Sequence, residues 1–401
     1  MKKNLLGVFT AVFALLIASG CGSSQESSGS EKSGGENAKS EKVHKIGINL
    51  ELSGASSVWG VAQNNAINML VEEINENGGV NGVPIELISY DNESSETQSL
   101  VVSKKLVEQD KVLAVIGGGT SPTAMPIVPY FEEKQVPLIS TGSADQIVQP
   151  VEERKWIFKT PSNNKDIAEN MVKFLKDHGK KDIAFMMLNN AYGESGLSSF
   201  EPVAKEAGLN IIAVEKFAAD DQDMKPQLTQ IKAKKPDAIV VWAIPPSASI
   251  VNKNYSELNM NSMLVYSNGA GSNMFIELAG EDAAEGTYVS AGKVWVADML
   301  KDDDPQKEVI SKYVEAYTAK YKEGVSPIDG MAYDAMLLLA KAIEQAGENV
   351  TRETVRDNLE NLKDVAGITG VFNLSLEDHQ GLKPEDILIV QVKDGKWVIP
   401  E

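Results

Sequence analysis

From Lys45 to Asn268 short apolar runs alternate with amphipathic stretches, and that alternation leaves few folds open. KIGINL, from Lys45, reads as a strand. A helical pattern follows from about Val61, with Ala66, Leu70 and Ile74 on one face and Gly78-Gly79 as the stop. IELISYD from Ile85, VLAVIGG from Val112 and VPLIS from Val136 read as further strands, with helices over Glu96 to Gln109 and Ser121 to Glu133. The same rhythm resumes after Lys159, with strands at Ile183, Ile211, Ala238 and Met263 and helices starting near Lys165, Gly193, Met224 and Ser247. Strands separated by helices of this length form parallel sheets with right-handed crossovers. Two such blocks predict an α/β protein of two lobes. Long helices then cover about Lys307 to Lys322 and Gly330 to Ala346, and ILIVQVKDGKWVI closes the chain as a hairpin turning at Asp394-Gly395.

Ahead of that block the chain has a different character. Lys2 and Lys3 precede a short apolar core from Leu5 to Ile17, and Ala18-Ser19-Gly20-Cys21 follows. A charged start, a short apolar segment and small residues at the cut make a secretory signal. It resembles a bacterial lipoprotein signal, in which Cys21 is acylated and becomes the mature N-terminus; Ala18 stands where such signals more often carry Leu. The apolar run falls short of the about 20 residues a spanning helix needs. GSSQESSGSEKSGGENAKSEK, from Gly22, is too polar to bury a core and reads as a flexible tether with a reach of roughly 25 Å. The expected organisation is a signal over 1–20, acylated Cys21 with its tether over 21–43, one lobe from 44–159 plus 291–370, and a second from 160–290 plus 371–401. The protein is expected outside the cytoplasm, lipid-anchored to the cell membrane.

Composition excludes several functions. The formal net charge is −19, and loss of Lys2 and Lys3 with the signal takes it to −21. Nucleic acid and anionic lipid call for clustered Lys and Arg, so neither is an expected partner. Cys21 is the one cysteine, which leaves none for a disulfide or a zinc site. His44, His178 and His379 sit far apart with no Ser or Asp in a triad-like setting and read as surface histidines. The acidic runs at Asp220-Asp221 and Asp302-Asp303-Asp304 lack the Gly and closing Glu of a calcium loop and read as caps and solvated turns. No cofactor, metal or catalytic constellation is expected.

Several phrases carry a specific resemblance by their order and spacing. They are ELSGASSVWG from Glu51, VEEINENGGVNGVPIELISYDNES from Val71 and VLAVIGGGTSPTAMPIVPYFEEKQVPLISTGSAD from Val112, then NNAYGESG from Asn189, KKPDAIVVW from Lys234, AEGTYVSAGK from Ala284 and MAYDAMLLLAKAIEQAG from Met331. From Lys45 to Glu401 the chain resembles the leucine/isoleucine/valine-binding family of type I periplasmic binding proteins. The resemblance implies two Rossmann-like lobes joined by three hinge crossings, expected near Lys159, Ser290 and Val371, which close around a ligand.

IGGGTSPTA, from Ile116, places a Gly cluster between strand and helix, as a pyrophosphate site would. That reading needs an acid about 20 positions on, where Gln135, Val136 and Pro137 stand instead. A smaller anion suits the same geometry, with Thr120 and Ser121 capping a helix whose first N–H groups face a carboxylate. The resemblance places a ligand carboxylate at Ser121 and the Ser143-Ala144 turn, and an aromatic cover at Trp59. Tyr192, before Gly193 at the end of a strand, sits where open sheets bind ligands, and Trp242 and Ile244 end another strand, as apolar wall or core. The family's acid for an α-ammonium aligns with Asn268, and a second acid falls at or near Asn163; both are amides here.

These residues describe a monomeric solute-binding lipoprotein that takes a small carboxylate-bearing ligand to the permease subunits of an ATP-driven (ABC) importer, with no bond made or broken. The family default is a branched-chain amino acid. Two alternatives stay open: a non-amino carboxylate or amide as ligand, with Asp145 or Glu194 the substitute acids if the ammonium is present, and a role as ligand-presenting sensor subunit.

Overall fold

The strands come in three sheets in the computed structural model, which describes residues 42–400; the signal, Cys21 and most of the tether lie outside the described residues. β1 (His44–Leu50), β2 (Ile85–Asp91), β3 (Ala114–Gly117), β4 (Leu138–Ser140) and β5 (Ile157–Lys159) form a parallel sheet in the order β2-β1-β3-β4-β5. β6 (Asp182–Leu188), β7 (Asn210–Phe217), β8 (Ala238–Trp242), β9 (Met263–Tyr266) and β10 (Tyr288–Ala291) form a second. β11 (Val365–Ala366) and β12 (Val371–Phe372) make a small separate pair. β13 (Leu388–Lys393) and β14 (Lys396–Val398) extend the second sheet antiparallel beyond β10. Read from β7, the second sheet runs β7-β6-β8-β9-β10, the same permutation as the first.

The burial of the strands explains the parallel pairing. Every residue of β3 and β8 is buried, and so are all but Lys45 in β1. Helices must therefore cover both faces. On one face of the first sheet lie the helices Ser57–Glu76, through Ile67, Leu70 and Val71, and Pro327–Ala346, through Met336, Leu339 and Ile343. Val102, Leu106, Val128 and Phe131 cover the other face. Fully buried residues such as Ile46 and Ile48 each contribute about 1.5–3 kcal/mol. The closing hairpin turns at Asp394 and Gly395, whose φ values of 50° and 69° match the right-handed twist of its strands.

Three expectations need correction. The helix read over Ser121 to Glu133 is two pieces, Ser121–Ala124 and Val128–Lys134, because Pro126 and Pro129 have no N–H to continue it. The third crossing lies later than Val371: Phe372, Leu374 and Leu382 pack into the core of the first sheet, and the chain reaches the second sheet at β13. His44 and His379 are buried, and only His178 is exposed. His379 stacks on Phe158 at 4.4 Å and pairs with Glu360, while burial lowers the His44 pKa. Of the two readings open for Trp242, the structure takes the core one, with the ring 5.9 Å from Phe185.

Candidate ligand-binding site

Open sheets of this order hold ligands in the crevice beyond the carboxyl ends of their strands, where the strand order reverses. A cavity of about 230 Å³ lies there, between the two sheets. Trp59 follows β1, Ser94 follows β2, Gly119, Thr120 and Ser121 follow β3, and Thr141 and Ser143 follow β4. Across from them Asn190 and Tyr192 follow β6, Ala219 follows β7, Ile244 follows β8, and Asn268 and Gly269 follow β9. Ile328 and Met331, in the first turn of the helix Pro327–Ala346, complete it. Among the described residues that line the cavity there is no Asp, Glu, Lys, Arg or His.

The first-lobe wall is built of hydroxyls and backbone. Ser121 Oγ accepts the Ala144 N–H at 3.0 Å, which leaves the Ser121 hydroxyl proton to donate elsewhere. Thr141 Oγ1 donates to Gln63 Oε1 at 3.1 Å. The fully buried Lys159 donates to the Ser143 carbonyl at 3.1 Å and to Asp145 at 3.4 Å, fixing that turn. Asp145 also reaches the other lobe, accepting from Asn164 N–H at 2.7 Å and from Ser199 Oγ at 3.0 Å. The second-lobe wall is built around one phenol. Tyr192 Oη donates to Asn268 Oδ1 at 2.9 Å and accepts the Gly269 N–H at 3.2 Å. Burial raises the pKa of Tyr192, so it is a neutral donor at every physiological pH. Asn190 Oδ1 caps the helix Ala191–Glu206 through the N–H groups of Tyr192 and Gly193.

Of the residues singled out from the sequence, Trp59, Thr120, Ser121, Ser143, Tyr192, Ile244 and Asn268 line this cavity. Ala144 does not: its N–H is spent on Ser121, and its methyl packs among Ile147 and Val148. Asn163 also lies away from the cavity, donating to Gln380. Asp145 and Glu194 are not substitute acids, because Asp145 is taken up by Lys159, Asn164 and Ser199, and Glu194 pairs with Lys216. The helix that starts at Ser121 is a single turn, too short for much of a dipole, so its anion affinity falls to hydroxyl groups. Gln63, Thr141, Leu188, Ile328 and Met331 were not foreseen. Leu188 and Thr141 end or follow strands, a signal that was available; Gln63, Ile328 and Met331 sit on helices and read as ordinary core or surface.

Two sheets of one permutation, joined at a cavity between their carboxyl edges, define a two-lobed solute-binding protein of the type I fold. The chain belongs to the periplasmic binding protein family, whose sequence profile matches residues 44–396. It is 25% identical over 306 residues to the leucine-, isoleucine-, valine-, threonine- and alanine-binding protein of Pseudomonas aeruginosa, covering 76% of this chain and 79% of that one. An extracellular ligand-binding receptor from Rhodopseudomonas palustris superposes with a TM-score of 0.83 at 26% identity, over 90% of this chain and 100% of that one. The branched-chain amino acid transporter substrate binding protein of Streptococcus pneumoniae, solved with isoleucine, gives 0.78 at 27% identity, over 89% and 98%. These relatives are binding proteins, not enzymes.

Proposed function

We propose that this chain is an extracytoplasmic, monomeric solute-binding lipoprotein, anchored through acylated Cys21, that captures a small apolar carboxylic acid and hands it to an ABC permease. The observation that carries the ligand class is the make-up of the cavity: hydroxyls clustered on the first-lobe side, aromatic and aliphatic groups from both lobes, and no charged side chain among the described lining residues. The carboxylate is assigned to the Ser121 hydroxyl and its neighbours, and the apolar body to Trp59, Tyr192, Leu188, Ile244 and Met331. The domain expectation joins this proposal: the lobes part and close about the three crossings.

The names of the relatives, which mention leucine and isoleucine, support trying those two ligands first. The lining favours the matching acid without an ammonium. Asn268 Oδ1 already accepts from Tyr192 and carries no charge. A buried ammonium left unpaired costs several kcal/mol. Leucine, isoleucine, 4-methyl-2-oxopentanoate and 4-methylpentanoate, each tested by thermal shift and calorimetry, decide the matter. An acid present at about 100 times its Kd adds about 2.7 kcal/mol of apparent stability. Stabilisation by the deaminated acids above the amino acids is expected; stabilisation by none of the four rejects the ligand class.

A further inference from the structure

Glu51, the residue that follows β1, is fully buried directly behind the wall that faces the ligand. Its carboxyl is placed asymmetrically. Oε1 receives the Thr120 N–H and the Thr120 hydroxyl, both at 3.2 Å, and makes a short contact with the Thr123 hydroxyl. Oε2 is buried with no hydrogen-bond partner among the described residues. It abuts Gly119, where an added Cβ would stand 2.1 Å from Oε2 and 2.8 Å from Gln63 Oε1. Thr120, Thr123, Asn92, Gln63 and Gly119 face the carboxyl, and all are uncharged. The nearby acid, Asp91 at the end of β2, is occupied by the N–H groups of Leu52 and Ser53, which follow Glu51.

A buried carboxylate needs donors on both oxygens or a cation beside it. Glu51 has neither. The protonated acid fits the same geometry: the Thr123 hydroxyl can donate to the Thr120 carbonyl at 3.0 Å, leaving its lone pair for a proton on Glu51 Oε1. Oε2 is then a neutral carbonyl-type oxygen, far cheaper to leave unpartnered. Desolvation raises the pKa of this group, and it outweighs the opposing pull of Thr123, Thr120, Asn92 and the residue's own backbone N–H.

We propose that Glu51 is a positioning residue that must be a neutral acid for the Gly119-Thr120-Ser121 wall to take a carboxylate. The inference rests on the ligand reading above. Ionised, Glu51 would set a negative charge just behind the ligand's own and pull the Thr120 groups toward itself. Ligand carboxylate and Glu51 carboxylate therefore exclude one another. By linkage, binding takes up a proton wherever free Glu51 is ionised, and affinity is highest below its pKa and falls as pH rises through it.

The test uses 4-methyl-2-oxopentanoate, which stays anionic throughout. Calorimetry across the pH range in which the protein stays folded should show wild-type affinity falling by up to about tenfold per pH unit once Glu51 ionises, with proton uptake in the buffer dependence of the enthalpy. Glu51→Gln, a permanent mimic of the neutral acid, should hold the low-pH affinity across the range with no proton uptake. Glu51→Ala should weaken binding at every pH. A flat wild-type profile across a range in which the infrared band shows Glu51 ionising, or a Gln variant as weak as the Ala variant, overturns the proposal. Infrared spectra of wild-type protein labelled with carboxyl-13C glutamate decide the protonation state independently of ligand and of any variant's folding. A protonated glutamate at neutral pH that ionises with the affinity loss supports the proposal; its absence overturns it. If this acid does not bind wild-type protein at all, the ligand reading fails, and the infrared band alone decides Glu51.

Discussion

The two walls of the cavity come from equivalent places on two sheets of one permutation, yet they differ in kind. The first-lobe wall presents polar groups held by short local bonds: the Ser121 hydroxyl by the Ala144 N–H, the Thr141 hydroxyl by Gln63, and the Ser143 backbone carbonyl by Lys159. The second-lobe wall presents large side chains locked by packing, with Tyr192 6.2 Å from Trp242 and tied to Asn268. The lesson is a division of labour. Under the proposed function the first wall would hold one end of the ligand by directed polar bonds, and the second, together with Trp59, Ile328 and Met331 of the first, would supply shape and apolar area.

The largest effect should come from damaging the packed wall. A Cβ on Gly193 would stand 1.9 Å from the Leu188 carbonyl oxygen, where helix and strand meet. Gly193→Ala should cost about 3 kcal/mol of stability, the upper end for overpacking, read from denaturant midpoints. A stable variant would show the second wall to be more pliable than its contacts indicate.

On the polar wall, Ser121→Ala should lose about 1.5–3 kcal/mol of affinity for 4-methyl-2-oxopentanoate in titration calorimetry, the scale of a hydrogen bond to a charged group. It also orphans the Ala144 N–H, so stability should fall by about 1–3 kcal/mol. Unchanged affinity would remove Ser121 from the anion end and erase the proposed division.

Asn268→Asp sharpens the contrast by giving the second wall a charge. The preference for the keto acid over leucine should shrink about tenfold, near 1.4 kcal/mol, in paired titrations. No change would place Asn268 away from the ligand's α-substituent.

The smallest effect concerns support for the first wall. Asp334, on the helix that carries Ile328 and Met331, accepts the N–H groups of Ile368 and Thr369, both at 2.7 Å. Burial raises its pKa to about 7. Since the folded value exceeds the unfolded one, its contribution is full in acid, below the ordinary carboxylate range, and is lost as pH rises toward about 7. Asp334→Asn should flatten that decline in melts across the range, while costing about 0.5–1.5 kcal/mol near neutrality for one weakened acceptor. An unaltered slope would assign the pH dependence to another buried acid such as Asp329.

The strand–helix alternation was legible because parallel strands buried on both faces leave unbroken apolar runs such as AIVVW. β5 spans three residues and β12 two, too few for any periodicity to register, and the third crossing was misplaced for that reason. At the site, residues just beyond strand ends could be read, as Tyr192 and Ser121 were. Ala144 was misread because a turn N–H is as easily spent on a neighbour as on a ligand. Glu51 opens the run ELSGASSVWG, but its burial depends on Thr120 and Thr123 folding back over it, which no local pattern records.

Asp145 gives the molecule one more property. A single carboxylate on the first lobe holds the buried Lys159 at the first crossing while accepting from Asn164 and Ser199 beyond it. Under the proposed hinge motion, parting the lobes would stretch or break the Ser199 link, which lies outside the cavity lining. On that reading the dwell time of a captured solute would be set partly at a point outside the cavity, and a substitution there should alter dwell time without altering what the cavity selects.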